Sequence, residues 1–299
     1  MRIERAINQE KGFTLIELTI TMVLTGILFG VVAVFITQPM KAYASNYTRS
    51  EMVDEADLAL RRIARDIQNA LPNTIRVSGT SVETVNVVEA VRYKAQGTNA
   101  ISFAATNTTF DLASLYQTLS AGVFPANYRL VIFNTGAVDA GGNPIAGINV
   151  YNNTATSGTT VPPAGTIVIS PVGSITYATT SPMISLGAAW QPAFPSPQQR
   201  LYTIDGAVSY VCVPAAGGGT ITRYSGYSFQ NATQPTNPAV APLNAATSNA
   251  QLLGDVTACA FTYQAGSTQH NALVTLQVTM TRSGETIKLL REVVVSNVP

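Results

Sequence analysis

A single carboxylate lies inside a long apolar segment near the start of the sequence. Between Phe13 and Ile36 the chain has one charged residue, Glu17, among Phe, Leu, Ile, Val, Thr, Met, Gly and Ala. An ionisable side chain at the centre of a membrane segment costs roughly 2.5–3.5 kcal/mol on insertion scales, so a residue of this kind generally has a function. The chemistry it offers is charge pairing, which becomes favourable when an opposite charge is brought beside it. Glu17 is therefore the first candidate functional residue.

Catalytic chemistry has little support elsewhere in the sequence. The chain has one histidine, His270, and its glycine clusters lack the spacing of phosphate-binding or dinucleotide-binding loops. We interpret Glu83 and Glu89 as an exposed pair, and Asp139 and Asp205 are isolated in the sequence. An enzyme would need His270 beside a nucleophile in the fold. The sequence thus predicts no enzymatic activity, no catalytic residue, no metal and no cofactor.

The apolar segment is long enough to cross a membrane. As a helix, its 24 residues would span roughly 36 Å, against about 30 Å for the hydrocarbon core. A cleaved secretory signal would have an apolar stretch of only about 7–15 residues and an Ala-x-Ala-like site, which does not directly follow here. Arg2, Arg5 and Lys11 precede the segment. The positive-inside rule therefore predicts a cytoplasmic N-terminus and export of the chain beyond Gln38.

Residues 11–18, Lys-Gly-Phe-Thr-Leu-Ile-Glu-Leu, resemble the processing signal of type IV prepilins and of type II secretion pseudopilins. In that family a membrane prepilin peptidase cuts after a glycine, here Gly12, and methylates the new amino terminus, here Phe13. The resemblance implies that Glu17 neutralises the amino terminus of a neighbouring subunit during assembly. The alternative is a Glu17 side chain that only reaches up to the membrane interface.

The resemblance also implies an α+β fold, in which a long N-terminal helix packs on a C-terminal antiparallel β-sheet domain. We expect a leader at residues 1–12 that is removed, a transmembrane helix at 13–38, a periplasmic amphipathic helix at 39–72 and an exported β-rich head at 73–299. The implied partners are prepilin peptidase, other major and minor pilins, the inner-membrane assembly platform and the lipid bilayer. The protein would cross the inner membrane once, with a periplasmic C-terminal domain, and would be extracellular when assembled in a pilus.

An apolar stripe at helical spacing continues beyond the membrane segment. Its members recur every three to four residues: Met52, Ala56, Leu60, Ile63, Ile67 and Ala70. The opposite face carries charged residues: Arg49, Asp54, Asp57, Arg61, Arg65 and Asp66. Pro39 should kink or locally melt the helix because proline has no backbone N–H. Leu71-Pro72-Asn73 should end it.

Short β-like segments follow. We predict strands at residues 74–77, 85–93, 100–103, 128–133, 202–213, 221–229 and 256–263. Residues 272–281 alternate apolar and polar side chains, which is typical of a half-buried strand. Ser283 and Gly284 should turn the chain into a partner strand at 287–295. The last strands should form an antiparallel meander whose buried face receives the helix.

Two cysteines, Cys212 and Cys259, lie in the part that we expect to be exported. Because the periplasm is oxidising, we predict a disulfide between them. The chain-entropy model gives about 4 kcal/mol of stabilisation for a loop of this length. Metal binding is the alternative, although two cysteines and His270 make a poor ligand set.

Composition limits the classes of partner. Removing residues 1–12 takes three basic and two acidic side chains from totals of 17 and 16, which leaves 14 of each. A neutral mature chain disfavours nucleic acid as a partner. Between Leu130 and Gly254 only four residues are charged: Asp139, Arg200, Asp205 and Arg223. We interpret the hydroxyl and amide side chains there as the means of solubility. The alternative is a sugar-binding adhesin, which would need a concave, aromatic-lined site around residues 151–227.

Several stretches narrow the resemblance to the minor members of the family. The chain is longer than the major subunits of type IV pili. Residues 64–73, 211–213 and 223–227 are similar to minor pilins of MSHA (mannose-sensitive haemagglutinin) pilus biogenesis, and residues 252–256 are similar to the J minor pseudopilins. We expect a minor type IV pilin that helps to initiate or support fibre assembly. The alternatives are a J-type minor pseudopilin of a type II secretion system and a pilus-associated adhesin.

Overall fold

The computed structural model describes residues 12–152, 154–156, 162–229, 233–266 and 271–295. The chain divides into two compact units, Met1–Glu51 and Met52–Pro299. One helix, α1, begins at Leu15 and ends at Gln68, so it contributes to both units. The fold is α+β, and the predicted fold class is confirmed: an apolar N-terminal helix is followed by an antiparallel sheet, on which the second part of the helix packs.

The helix continues without interruption through Pro39. The predicted melting at this residue is therefore wrong, since a proline removes one backbone donor and the neighbouring hydrogen bonds preserve the helix. The helix also ends earlier than predicted. Beyond Gln68 the chain already pairs with the sheet, because the Leu71 N–H donates to the Val85 carbonyl at 2.8 Å.

Twelve strands occur among the described residues. Their bounds are β1 Arg76–Ser78, β2 Ser81–Arg92, β3 Asn107–Asp111, β4 Gly122–Val123, β5 Arg129–Val131, β6 Ile175–Ala178, β7 Met183–Trp190, β8 Arg200–Val213, β9 Gly219–Ser225, β10 Ser248–Gln264, β11 Ala272–Arg282 and β12 Glu285–Val295. A short 3-10 helix, Leu243–Ala245, precedes β10. The strand predicted at residues 100–103 is absent, since the described chain there is irregular.

The large sheet has the order β1-β2-β8-β9-β10-β11-β12, and its neighbours pair antiparallel. One edge of β8 pairs with β2 along its length. The other edge is divided: its first part pairs with β5 and its second part with β9. Gly206, which has a φ of 130°, lies between the two parts. We call this division the β8 fork.

The second part of α1 packs on the large sheet through the predicted apolar stripe. Met52, Ala56, Leu60, Ile63 and Ile67 are buried, as the helical spacing predicts. They share one buried cluster with alternate residues of β11, all of them 1% exposed or less: Val274, Leu276, Val278 and Met280. The predicted half-buried strand is therefore confirmed.

Two acidic residues assigned to the outer face of the helix contact the sheet instead. Asp66 accepts a hydrogen bond from Arg223 Nε at 3.0 Å, and Asp57 lies 3.4 Å from Arg291 Nη1. Ala70, the last predicted member of the stripe, lies beyond the helix in an isolated bridge with Asn86. Some charged residues of α1 therefore face the sheet and form ion pairs there, so hydropathy alone does not determine which side of the helix is in contact.

The last two strands form the predicted hairpin. Arg282 pairs with Glu285 across Ser283 and Gly284, whose φ values are 54° and 83°. Two successive positive φ values are those of the type I′ turn, which matches the twist of the flanking strands. The sulfur atoms of Cys212 and Cys259 are bonded at 2.08 Å and connect β8 with β10.

A second, four-stranded sheet has the order β3-β7-β6-β4 and was not predicted. Its buried side chains, such as Phe110, Tyr177 and Trp190, share one apolar cluster with Leu130 and Ile204 of the large sheet. The part of the large sheet near β5 and β8 is therefore covered by this small sheet, while the part near β11 is covered by α1.

Candidate functional site

The candidate site is the start of α1, where Gly12, Phe13 and Glu17 lie. Thr14 directly precedes the helix, and its Oγ1 accepts a hydrogen bond from the Glu17 N–H at 3.3 Å. The Thr14 carbonyl accepts the first helical bond, from the Leu18 N–H at 3.1 Å. This is the arrangement of an N-cap threonine with a glutamate three residues later, the pattern of a capping box. The sequence Thr-Leu-Ile-Glu contains that signal, but we did not predict the cap from it.

Glu17 therefore has a local position that suits a carboxylate. It lies in the first turn, where the partial positive charge of the helix N-terminus stabilises an anion. Within the part of the chain that the structure describes, its carboxylate has no hydrogen-bond or ion-pair partner. A counter-charge for this carboxylate is thus absent from the described residues, which leaves it available to a group outside them.

The side chains around Glu17 are apolar and exposed. Phe13 is 81% exposed and Leu15 is 82% exposed, and large apolar side chains remain exposed along the helix as far as Met40. By length and composition, α1 is apolar enough to cross a membrane. A continuous apolar surface of this size normally marks contact with a membrane or another protein. The first unit is consistent with a membrane anchor.

The hydroxyl groups of the anchor are satisfied within the helix. The side chains of Thr19, Thr21, Thr25 and Thr37 each donate to a backbone carbonyl three or four residues earlier, at 2.6–2.9 Å. In a bilayer, polar groups must find partners inside the protein. These threonines therefore add little cost to insertion, and Glu17 is the one charged group in the segment that needs an external partner.

Three of the acidic residues considered in the second unit are structural, namely Glu83, Glu89 and Asp139. Glu83 is fully buried, so its interpretation as part of an exposed pair is wrong. Arg76 Nε donates to Glu83 Oε2 at 2.9 Å and the Tyr227 hydroxyl donates to Oε1 at 2.8 Å. Burial raises the pKa of Glu83, and the charge of Arg76 acts in the opposite direction. The cross-strand register of Arg76 with Glu83 is the signal that could have indicated this pair.

Glu89 lies farther along β2 and binds a neighbouring loop. Its carboxylate accepts hydrogen bonds from the backbone N–H groups of Thr118 and Leu119 at 3.0 and 3.1 Å, and from the Thr118 hydroxyl. Burial would raise the pKa of Glu89, but these bonds hold it below its ordinary value. Asp139 likewise caps its own turn, since its Oδ1 accepts from the Gly141 N–H at 2.8 Å.

The side chains that commonly bind metals do not gather into a site in the described part of the chain. No group of three or more metal-binding side chains occurs among residues 12–295 where the structure describes them. Cys212 and Cys259 are joined to each other. His270, on which an enzyme would have depended, lies outside the described residues.

Comparison with known families agrees with the geometry of the N-terminus. Residues 7–33 match the prokaryotic N-terminal methylation motif. This is a prepilin-type signal. It contains Gly12, Phe13 and Glu17, it supports a protein like the type IV pilins and pseudopilins, and it is consistent with processing by prepilin peptidase. The match includes no residue of the second unit. Searches among curated proteins and among solved structures give no significant match.

Proposed function

We propose that the protein is a minor type IV pilin of the MSHA type, which helps to begin or support a pilus fibre. It resembles the MSHA pilus biogenesis protein O most. A J-type minor pseudopilin is the second candidate, because residues 11–18 resemble the signals of both prepilins and pseudopilins, and residues 252–256 resemble the J minor pseudopilins. In this proposal the chain acts by assembly and has no catalytic role. The observation that carries it is an exposed apolar helix inside a methylation motif, with one carboxylate, Glu17, that has no partner among the described residues.

The proposed mechanism has two steps. Prepilin peptidase cuts after Gly12 and methylates Phe13, which creates a positive amino terminus at the start of an apolar helix. Within the membrane, the Glu17 carboxylate of one subunit then pairs with the amino terminus of the next. Each charge alone is costly in a low-dielectric environment, and each is stabilised when the two are paired. The pair therefore favours one register of neighbouring helices.

The size of the second unit suggests a scarce subunit. Packed helices lie about 8–10 Å apart. A bulky domain such as Met52–Pro299 is difficult to place on every helix of a fibre at that spacing. We infer that the protein occupies few positions in the fibre, at its start or tip.

Three variants separate the charge of Glu17 from the cap that Thr14 provides. Glu17→Gln keeps the size of the side chain but removes its charge, and Glu17→Val removes the whole polar group; in both, the backbone N–H of residue 17 can still donate to Thr14 Oγ1. Thr14→Val removes the cap while it keeps the charge. Loss of the cap should cost about 1 kcal/mol at the helix start. We expect both Glu17 variants to be exported with an intact second unit but to enter fibres poorly, whereas Thr14→Val should assemble nearly normally.

The measurement is the amount of each variant in sheared fibres relative to the amount in the membrane. Normal incorporation of Glu17→Gln would contradict the charge-pairing mechanism. Loss of incorporation in Thr14→Val, with Glu17→Gln unaffected, would assign the role of this turn to capping instead.

A further inference from the structure

Among its described residues, the head contains a buried cation that forms no ion pair. Arg129, on β5, is 9% exposed. Its Nη1 donates to the Ser170 carbonyl at 2.7 Å, and among the described residues it has no other hydrogen bond and no ion pair. An arginine remains charged in proteins and has five N–H donors. A buried charge that is not paired is unfavourable, so this guanidinium is a candidate for binding an anion.

The remaining guanidinium nitrogens reach solvent through clefts. Thr84 Oγ1 is the one fully buried side-chain polar atom without a partner in the described part of the chain, so the unbonded nitrogens of Arg129 are not sealed in the core. Arg129 lines two clefts, of about 530 and 290 Å³. The larger one lies at the β8 fork and is within the usual size range of small-molecule sites.

The cleft at the β8 fork also contains groups that can bind hydroxyls. Asp205 accepts a hydrogen bond from Asn86 Nδ2 at 2.9 Å through Oδ1, and its Oδ2 has no donor among the described residues. Asn127 uses its Nδ2 to bind the Asp205 carbonyl at 2.9 Å, which leaves its Oδ1 open. Tyr227 and Phe229 line the same cleft. The site thus combines one cation, two acceptor oxygens that have no donor among the described residues, and two aromatic residues.

We propose that the cleft at the β8 fork binds an acidic sugar, such as a uronic or sialic acid. Arg129 binds the carboxylate, Asp205 and Asn127 accept hydrogen bonds from hydroxyl or amide groups, and the apolar face of the sugar lies against Tyr227 and Phe229. A peptide carboxylate fits this set less well, because its nearby donors are single backbone N–H groups, whereas a sugar ring offers several hydroxyl donors to Asp205 and Asn127. This binding is independent of the assembly role.

Isothermal titration of the full chain in a neutral detergent tests the proposal. The probes are D-glucuronate and N-acetylneuraminate, with D-glucose as the neutral sugar, acetate as the bare carboxylate and N-acetylglutamate as the peptide-like acid. We expect at least one acidic sugar to bind more tightly than each of the other three. Arg129→Met should weaken that binding on the order of 10- to 100-fold, as expected for charge-assisted hydrogen bonds.

Two further variants identify the contacts. Arg200→Met is the matched control, since Arg200 lines other clefts and not the one at the fork, and it should bind as the unmodified protein does. Asp205→Asn should weaken the binding of the acidic sugar, while the binding of acetate is unchanged or stronger.

Several results would overturn the proposal. Acidic sugars that bind no better than D-glucose would exclude the site, and unchanged binding in Arg129→Met would exclude the assigned residue. A lower Tm of Arg129→Met with unchanged binding would give Arg129 a structural role only. Tight binding of N-acetylglutamate without binding of either acidic sugar would assign the cleft to peptide carboxylates and refute the ligand class.

Discussion

Replacement of Arg76 by methionine would leave a fully buried carboxylate without its counter-charge. The Glu83 side chain is 0% exposed and the Arg76 side chain is 17% exposed. Both Nε and Nη2 of Arg76 donate to Glu83 Oε2, the former at 2.9 Å. Removal of one partner from a buried ion pair costs about 3–5 kcal/mol. We expect Arg76→Met to lose that much free energy of unfolding at neutral pH, although the methionine can still pack against the Tyr151 ring that Arg76 covers.

The same variant should change the dependence of stability on pH. Burial already raises the pKa of Glu83 and Arg76 opposes that effect, so loss of Arg76 raises the pKa further. In the unfolded chain the pKa is near 4.5. Above this pH the unfolded chain has released a proton that the folded variant keeps, and stability then falls as pH rises. The free energy of unfolding of Arg76→Met should therefore fall above pH 4.5, up to the raised pKa, more steeply than that of the unmodified protein.

Urea unfolding of the full chain in detergent measures both effects. Trp190 is the single tryptophan and is 1% exposed, so its fluorescence reports the unfolding of the second unit. The control is the double variant Arg76→Met with Glu83→Gln, whose amide oxygen can still accept the Tyr227 hydroxyl without a charge. It should regain most of the lost stability. A loss below about 1 kcal/mol in the single variant, or a double variant that is no more stable, would refute the argument from buried charge.

Three further predictions concern processing, oxidation and abundance. Gly12→Val should block removal of residues 1–12 by prepilin peptidase, because a β-carbon hinders the extended backbone in the protease cleft. The control variant Gly26→Val, inside the apolar segment, should still be processed. Intact mass distinguishes these outcomes, and processing of both variants would contradict the prediction. Reduction of the Cys212–Cys259 disulfide should lower the free energy of unfolding by about 4 kcal/mol, and alkylation of either thiol without reduction would show that the bond is not formed in the cell. Deletion of the gene should lower the number of fibres with the pool of the major subunit unchanged, and quantitative mass spectrometry that finds this protein as abundant as the major subunit would exclude a minor role.

The sequence predicted best those elements that bury one face against one partner. The stripe through Met52 and Ile67, and the alternation from Val274 to Met280, each follow a single period, and each is buried as that period requires. The turn at Ser283 was also predictable from the sequence, because a glycine follows the serine. In the structure both residues have the positive φ that this turn requires. In these cases a local pattern determines the tertiary contact.

The sequence predicted poorly where a strand is covered on both faces. Residues 81–85 of β2 are all buried, with Val82 in the cluster under α1 and Val85 in the cluster under the small sheet. Such a strand shows no alternation, so Glu83 gave no sign of burial. The small sheet was missed for another reason: strands as short as β4, with two residues, carry too few side chains for a period to be seen.

The start of α1 shows the same contrast within one turn. The motif around Glu17 was recognisable because its residue types and spacing are themselves the signal. The role of Thr14 as the cap was also encoded, because a threonine three residues before a glutamate is typical of a helix N-terminus. We did not predict it, since we identified this segment by its hydropathy. The contact made by Arg129 could not have been predicted, since its hydrogen-bond partner, Ser170, is 41 residues away in the sequence.

Ion pairs connect α1 with the large sheet. The acidic residues are on the helix and the basic residues are on strands, and the pairs are Glu55 with Arg282 at 2.7 Å, Asp57 with Arg291 at 3.4 Å and Asp66 with Arg223 at 3.0 Å. Their side chains are 12–40% exposed, and ion pairs of this kind contribute up to about 1 kcal/mol each. A buried leucine contributes about 1.5–3 kcal/mol. The apolar stripe therefore supplies most of the stabilisation, while the ion pairs select one rotation of the helix on the sheet. Identical geometry in every copy suits the assembly role proposed above, since a subunit must present the same residues to each neighbour.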